Sequence, residues 1–363
     1  MESADFLIIG GGVAGLSAAA RLARHGKVLV LEAEDAIGYH SSGRSVSFSH
    51  YGIGDQAVRA LTAHSRPFFE APLARTFPSL YFAEDGQLAA LEMLHAEMAR
   101  FTDAIRILDE AAMKALCPVL KAPRRGLLDP TGLKLDADLL LQGFARQLRA
   151  SGGEIRTGAR IETIERRGER WQVDRTFEAP ILINAAGAWA DAVAALAGVA
   201  PLGLRPMRRT IITVDPPQGV DIAGWPFTHS VAGDFYMLPE AGRILVSPVD
   251  EVPDNPCDAQ PEDYDLALAA DRLEHYTTVK VAHISHRWAG LRTFTADRVP
   301  TAGFASDAPG FFWLAGQGGY GLQTAPAMAE IVEALVTGGA WPIPDVAPEQ
   351  ILPGRLIISA KSC

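Results

Sequence analysis

The sequence predicts an α/β protein, with a Rossmann-like dinucleotide-binding domain joined to a second domain built on a mixed, mainly antiparallel sheet. Three observations predict it. The chain opens with a strand, a glycine-rich turn, a helix and a second strand. Another glycine-rich turn precedes a helix near the far end, and residues 201–288 between them are rich in strand-like windows, proline and aromatics. The length of 363 residues exceeds a single domain of ~150 residues and favours two.

Residues 5–9 read as a short buried strand, 12–25 as an Ala-rich helix and 27–31 as the next strand. Gly10, Gly12 and Gly15 form a GxGxxG turn, with Val13 and Ala14 opening the helix. Missing side chains there let a pyrophosphate approach the helix N-terminus, whose partial positive charge favours it. Glu32, followed by Ala33, ends the second strand where a carboxylate can accept hydrogen bonds from ribose hydroxyls. NAD and FAD both satisfy this pattern. The apolar run 6–20 lacks a basic leader and is broken by glycines, so it reads as fold and not as a signal peptide.

Further along, 55–69 and 136–150 read as helices, the second closed by Ser151-Gly152-Gly153, and 80–91 reads as a hairpin around Glu84-Asp85-Gly86. Strands are expected at 154–156 and 171–174. Residues 180–184 form a buried strand entering the small-residue turn Ala185-Ala186-Gly187-Ala188-Trp189, with a helix at 190–197. In the inserted sheet region, 210–214 and 235–238 are strands and one helix lies near 264–273. A strand at 311–315 then leads through Gly316-Gln317-Gly318-Gly319-Tyr320-Gly321 into a helix at 322–336.

Composition narrows the partners. With 43 acidic and 33 basic residues the formal charge is -10, which repels nucleic acid and anionic lipid. Cys117, Cys257 and Cys363 show neither CxxC spacing nor pairing, which argues against structural zinc and for a reducing compartment, the cytoplasm. No window reaches ~18 uninterrupted apolar residues, so no transmembrane helix is expected, and peripheral membrane attachment stays open. No metal site is expected, and the sequence does not fix the oligomeric state.

The order of these pieces, with Gly38-Tyr39-His40-Ser41-Ser42-Gly43-Arg44-Ser45 between the first unit and the second, resembles the D-amino-acid oxidase and glycine oxidase superfamily of flavoproteins over nearly the whole chain. The strings Trp288-Ala289-Gly290-Leu291-Arg292 and Gln317-Gly318-Gly319-Tyr320-Gly321 are most similar to bacterial D-amino-acid dehydrogenases of the D-arginine type. The resemblance implies FAD in place of NAD. It implies a discontinuous FAD-binding domain of the glutathione-reductase type (1–78, 135–200 and 289–363) and a substrate domain (79–134 and 201–288), with the flavin ring at their junction. It places Ser42, Gly43, Arg44 and Ser45 near the flavin and Ile161 by the adenosine. Ala186, Gly187 and Trp189 belong to the cofactor set, and Gly318, Gly319, Tyr320, Gly321, Leu322, Gln323 and Thr324 face the pyrimidine end of the ring. Some relatives attach FAD through cysteine, and 292–303 contains none, so the FAD is expected to be noncovalent.

The implied chemistry is hydride transfer from the substrate Cα to flavin N5, giving an imino acid that water hydrolyses to a 2-oxo acid and ammonia, with oxygen or a quinone as the final electron acceptor. Arg292 is the expected carboxylate ligand, against a surface salt bridge as the plain alternative. Tyr236 matches the position whose phenol bonds the carboxylate, against a sheet tyrosine satisfied elsewhere. Arg209 is a second donor; strand alternation sends it and Arg208 to opposite faces. His50 and Tyr51 lie in a segment that is a mobile loop in relatives and can accept a proton through water, an exposed loop histidine being the simpler reading of His50. Phe48, Ile53, Trp225 and Gly319, with Gln87 standing loosely where an acid would meet a cationic side chain, predict a pocket for neutral or hydrophobic D-amino acids. Oxidation of a secondary amine or a 2-hydroxy acid is the alternative, and a non-catalytic flavin-binding protein the further one.

Overall fold

Strand segments that are apolar at every position need cover on both faces, and the first sheet provides it. The structure, a computed structural model, describes residues 1–359; Cys363 and the end of the 289–363 segment lie outside the described residues. Five parallel strands run in the order Glu154–Arg156, Val28–Leu31, Phe6–Ile9, Ile181–Asn184 and Phe311–Ala315, with Thr301–Phe304 antiparallel at the edge. Alternation divides their side chains between two cores. Ile8, Val28, Ile183 and Phe312 pack against helices Val13–Leu22 and Gly321–Thr337 through Ala19, Leu22, Met328 and Ile331. Leu7, Leu29, Leu182 and Trp313 face the helix Ala190–Leu196 and a small four-stranded sheet carrying Trp171.

The first crossover is tight. A Cβ at Gly15 would lie 2.0 Å from the carbonyl oxygen of Gly10, so only glycine lets the helix close onto the turn. The helix Gln56–Ser65 is capped by Asp55, whose carboxylate accepts from the Val58 amide at 3.0 Å, and continues as a 3₁₀ turn, Arg66–Phe68.

The second sheet has nine strands. Its main path runs Val252–Pro253, Arg205–Val214, Arg243–Ser247, Tyr236–Glu240, Phe227–Ser230, Ser79–Ala83, Arg125–Asp129 and Arg106–Asp109, and Ile284–Phe294 pairs with Arg205–Val214. All pairings are antiparallel except that of Phe227–Ser230 with Ser79–Ala83. Its outer face buries Ile212, Val246 and Trp225 under Leu266, Ala269 and Leu273 of the helix Asp263–Tyr276. Its inner face carries Ile211, Phe227, Tyr236 and Leu245 toward the first sheet.

Two expectations are corrected. Residues 80–91 are not a hairpin: strand Ser79–Ala83 turns at Gly86 into the helix Leu88–Met98, which buries Leu91 and Met98. Its Leu, Ala, Glu and Met content favours helix, and this intrinsic preference outweighs the turn signal. Residues 289–294 belong by pairing to the second sheet, because the strand beginning at Ile284 runs on unbroken to Phe294 beside Arg205. Among the described residues no helix is long and apolar enough to cross a membrane. Gly15→Ala is expected to lower folding stability by about 1–3 kcal/mol, the range for forcing atoms into a filled site, measured as a lower urea midpoint with an unchanged slope.

Candidate functional site

The two sheets meet along a groove made of three adjoining cavities. The first, of about 270 Å³, is lined by Gly10, Gly12, Glu32, Ala33, Ser42, Ile161, Ala186, Gly187 and Trp189. The second, of about 140 Å³, shares Gly12, Ser42 and Gly187 with it and adds Val13, Ala14, Arg44, Ser45, Arg292, Gly318, Gly319, Gly321 and Leu322. The third, of about 400 Å³, shares Ser45, Arg209, Tyr236, Arg292, Gly319 and Leu322 with the second and continues under the inner face of the nine-stranded sheet. Each boundary is thus a wall common to two spaces.

The first two cavities suit a long dinucleotide ending in a ring. Glu32 accepts from the amides of Gly11 at 2.6 Å and Glu34 at 2.9 Å, so its carboxylate fixes the glycine turn and lines the nucleotide end. Ser42 Oγ accepts from the Val13 amide at 3.0 Å, tying the second segment to the helix N-terminus. In the second cavity Gln317 Nε2 is buried with no hydrogen-bond partner, a donor left over where a polar ring edge would satisfy it. The helix Gly321–Thr337 begins there with no side-chain cap, leaving its first amides free. These residues fit FAD. Gly15, Gly43 and Thr324 do not line the groove: Gly15 closes the first turn, the Gly43 amide donates to the Gly38 carbonyl at 2.8 Å, and Thr324 Oγ1 donates to the Tyr320 carbonyl at 2.9 Å. Arg44 spans both parts of the chain, donating to the carbonyls of Ala259 and Ala289.

In the third cavity three donors converge. Arg292 is half-buried, has no hydrogen bond or ion pair among the described residues, and lies over Gly319, where a Cβ would come within 2.8 Å of its Nη1. The surface salt bridge offered as its alternative does not form. Tyr236 is buried and its hydroxyl has no hydrogen-bond partner among the described residues. Arg209 is buried, anchored by Nε to the Asp250 carbonyl at 2.6 Å and by Nη2 to Glu251 at 3.3 Å. Burial, and then the charge of Arg292, lowers its pKa to about 10. Arg208 points to the opposite face, paired with Asp254, Glu262 and Asp265, as alternation requires.

Phe48, Ile53, Gly319, Tyr320 and Gln323 line this cavity, and so does His50. His50 is not an exposed loop residue: it is 6% exposed, with Nδ1 2.6 Å from the Tyr81 hydroxyl. Burial, then Arg59 and Arg292, hold its pKa down to about 3, so the ring is neutral. Tyr51 lies outside the site, its ring stacked on Phe101 and under the Arg66 guanidinium, because the strand-like stretch at Phe48–Ser49 turns its side chain away. Gln87 is also outside; its Oε1 accepts from the Glu84 amide at 3.0 Å and closes the turn before the next helix. Trp225 is 6% exposed in the outer core with Ile222 and Leu266, where an indole buries more apolar surface than at a cavity wall.

The sequence reading passed over Tyr81, Phe227 and His229, which form the aromatic wall, and Ala90, Met93, Leu94 and Glu97 from the helix Leu88–Met98. Phe227 and His229 alternate along one strand, a period-two signal that was present. The helix contribution was hidden by the mistaken hairpin. Glu97, the one carboxylate among the described lining residues, is paired with Arg59 at 2.7 Å.

His50 also predicts a pH effect. Its folded pKa lies below the unfolded value of about 6.5, so the unfolded chain binds the extra proton and stability falls as pH drops from 6.5 toward 3. Urea unfolding is expected to give a smaller loss between pH 7 and pH 5 in His50→Gln than in the natural protein.

A family model described as FAD dependent oxidoreductase matches residues 5–335. The chain is 26% identical, over an alignment 415 positions long including gaps, to FAD-dependent oxidoreductase domain-containing protein 1 of Bos taurus, covering 96% of this chain and 84% of that protein. It superposes with a TM-score of 0.84 on L-alpha-glycerophosphate oxidase from Mycoplasma pneumoniae with FAD bound, at 20% identity and 93% and 95% coverage of the two chains. L-proline dehydrogenase from P. horikoshii superposes with the same TM-score of 0.84, at 21% identity and 99% coverage of each chain.

Proposed function

The chain belongs to the FAD-dependent oxidoreductase family, and from that premise we propose that it oxidises amino acids with neutral or hydrophobic side chains, D-enantiomers foremost. The products are imino acids, which water hydrolyses to 2-oxo acids and ammonia. One observation carries this reading: Arg292 and Tyr236 present donors without partners in the cavity that adjoins the glycine-rich turn. A substrate carboxylate satisfies both, the guanidinium through two parallel N–H···O bonds.

FAD, held noncovalently, supplies the two-electron acceptor. Neither Cys117 nor Cys257 lines the two cavities beside the glycine turns. Every other part of the chemistry falls to side chains. Arg209, fixed by Asp250 and Glu251, adds positive potential to that of Arg292. Two guanidiniums beside the substrate favour the neutral amine over the ammonium, and the amine must be neutral for its lone pair to assist as the α C–H bond breaks. Phe48, Phe227, His229 and Tyr81 form the wall that receives the side chain and keeps water out. With Glu97 already paired to Arg59, a cationic side chain finds no free carboxylate. The D preference rests on the likeness of Trp288-Ala289-Gly290-Leu291-Arg292 and Gln317-Gly318-Gly319-Tyr320-Gly321 to D-amino-acid dehydrogenases.

Anaerobic mixing with paired D- and L-amino acids, 2-hydroxy acids and secondary amines tests it through the flavin absorbance. Neutral D-amino acids are expected to bleach the flavin fastest; faster bleaching by a hydroxy acid, by D-Arg or by the L series overturns the corresponding part. Arg292→Ala is expected to lose kcat/KM by roughly 10²–10⁴-fold, the equivalent of two charge-assisted bonds of about 1.5–3 kcal/mol each, while the purified protein stays yellow.

A further inference from the structure

We infer that Tyr81 fixes His50 as a hydrogen-bond donor toward the substrate side chain, and that the cavity thereby selects uncharged amino acids bearing a side-chain carbonyl, a carboxamide being the simplest. This rests on the amino-acid reading above and names the substrate class within it. The Tyr81 hydroxyl lies 2.6 Å from His50 Nδ1, with the Ser79 side chain as a second neighbour. Burial and the charge of Asp129 raise the pKa of the phenol, so it keeps its proton and can donate it to His50 Nδ1. The imidazole, held neutral, then carries its own proton on Nε2.

That second nitrogen has no hydrogen-bond partner among the described residues, and His50 lines the large cavity. The arrangement is rigid. Tyr81 stacks on His229 at 4.8 Å and 15°, the two residues being in register on neighbouring strands. A Cβ at Gly52 would fall 2.0 Å from the Tyr81 hydroxyl, so the absence of a side chain there makes the bond to His50 possible. The His50 backbone amide donates to Gln323 Oε1 at 3.3 Å, which ties the backbone at His50 to the helix at the other side of the cavity.

A fixed N–H donor without a partner in this cavity is best matched by an acceptor on the ligand. A carboxylate side chain would want a cation as well, and Arg59 is engaged by Glu97 and by the Tyr51 carbonyl, at 2.7 Å each. A carboxamide oxygen needs only the neutral donor.

The test compares kcat/KM for D-glutamine, its apolar near-isostere D-norleucine and D-glutamate. The natural protein is expected to favour glutamine over both by about tenfold, the equivalent of one neutral hydrogen bond of about 1.4 kcal/mol. Tyr81→Phe is expected to bring the glutamine-to-norleucine ratio of kcat/KM to about one. Imidazole ¹⁵N spectra of the flavin-loaded protein are expected to show His50 as the Nε2–H tautomer, and a mixture of tautomers in Tyr81→Phe. An equal or greater rate with norleucine in the natural protein, an unchanged ratio in Tyr81→Phe, or an Nδ1–H tautomer overturns the inference. Failure of the broader reading looks different: no amino acid, amide or apolar, bleaches the flavin. That outcome removes the substrate half of the inference, and the imidazole spectra still decide the tautomer half.

Discussion

A guanidinium withdrawn from bulk water without a counter-ion is unfavourable, and the site is organised around one that persists, Arg292. Two long antiparallel strands make this tolerable. Arg205–Val214 and Ile284–Phe294 are paired along almost their full length, with Arg209 opposite Gly290 and Met207 opposite Arg292. Both charged side chains are thus carried to the junction by a rigid ribbon. The free charge lies over Gly319, and the anchored one is neutralised in part by Asp250 and Glu251. Under the proposed function an arriving carboxylate would supply the missing partner, and the cost of partly burying Arg292 would be recovered on binding it.

The dinucleotide half was legible because its signals are local. A strand, three glycines, an Ala-rich helix and a terminal Glu32 occupy consecutive positions, and backbone geometry alone demands them. The inserted sheet was legible as a region and not as a topology: its strands pair across more than a hundred residues, as Ser79–Ala83 does with Phe227–Ser230, and no periodicity in one segment reports its partner in another. The mistaken hairpin at 80–91 shows the same limit from the other side. A Glu-Asp-Gly turn ends a strand equally well before a second strand or a helix, and the decision lay in residues beyond Leu91.

Within the site, charged residues were easier to find than the wall around them. Arg209 follows from residue type and place along a strand, and Tyr236 and Arg292 from the resemblance carried by the strings around them. Tyr81 and His229 meet only because two distant strands are in register, and Trp225 was assigned to the pocket for its apolarity, a property that equally suits the outer core where it sits. Burial converts His50 from a solvated base into a neutral ring, and burial is a property of the assembled chain.

Met93 lines the large cavity while 66% of its surface faces solvent. On that side the partition between reactant and bulk water is a single layer of side chains, borne by the helix Leu88–Met98, which contributes nothing to the parallel sheet. This wall and the parallel sheet thus belong to separate pieces of the chain. A substitution on the outer face of that helix would therefore redraw this wall without disturbing either glycine-rich turn.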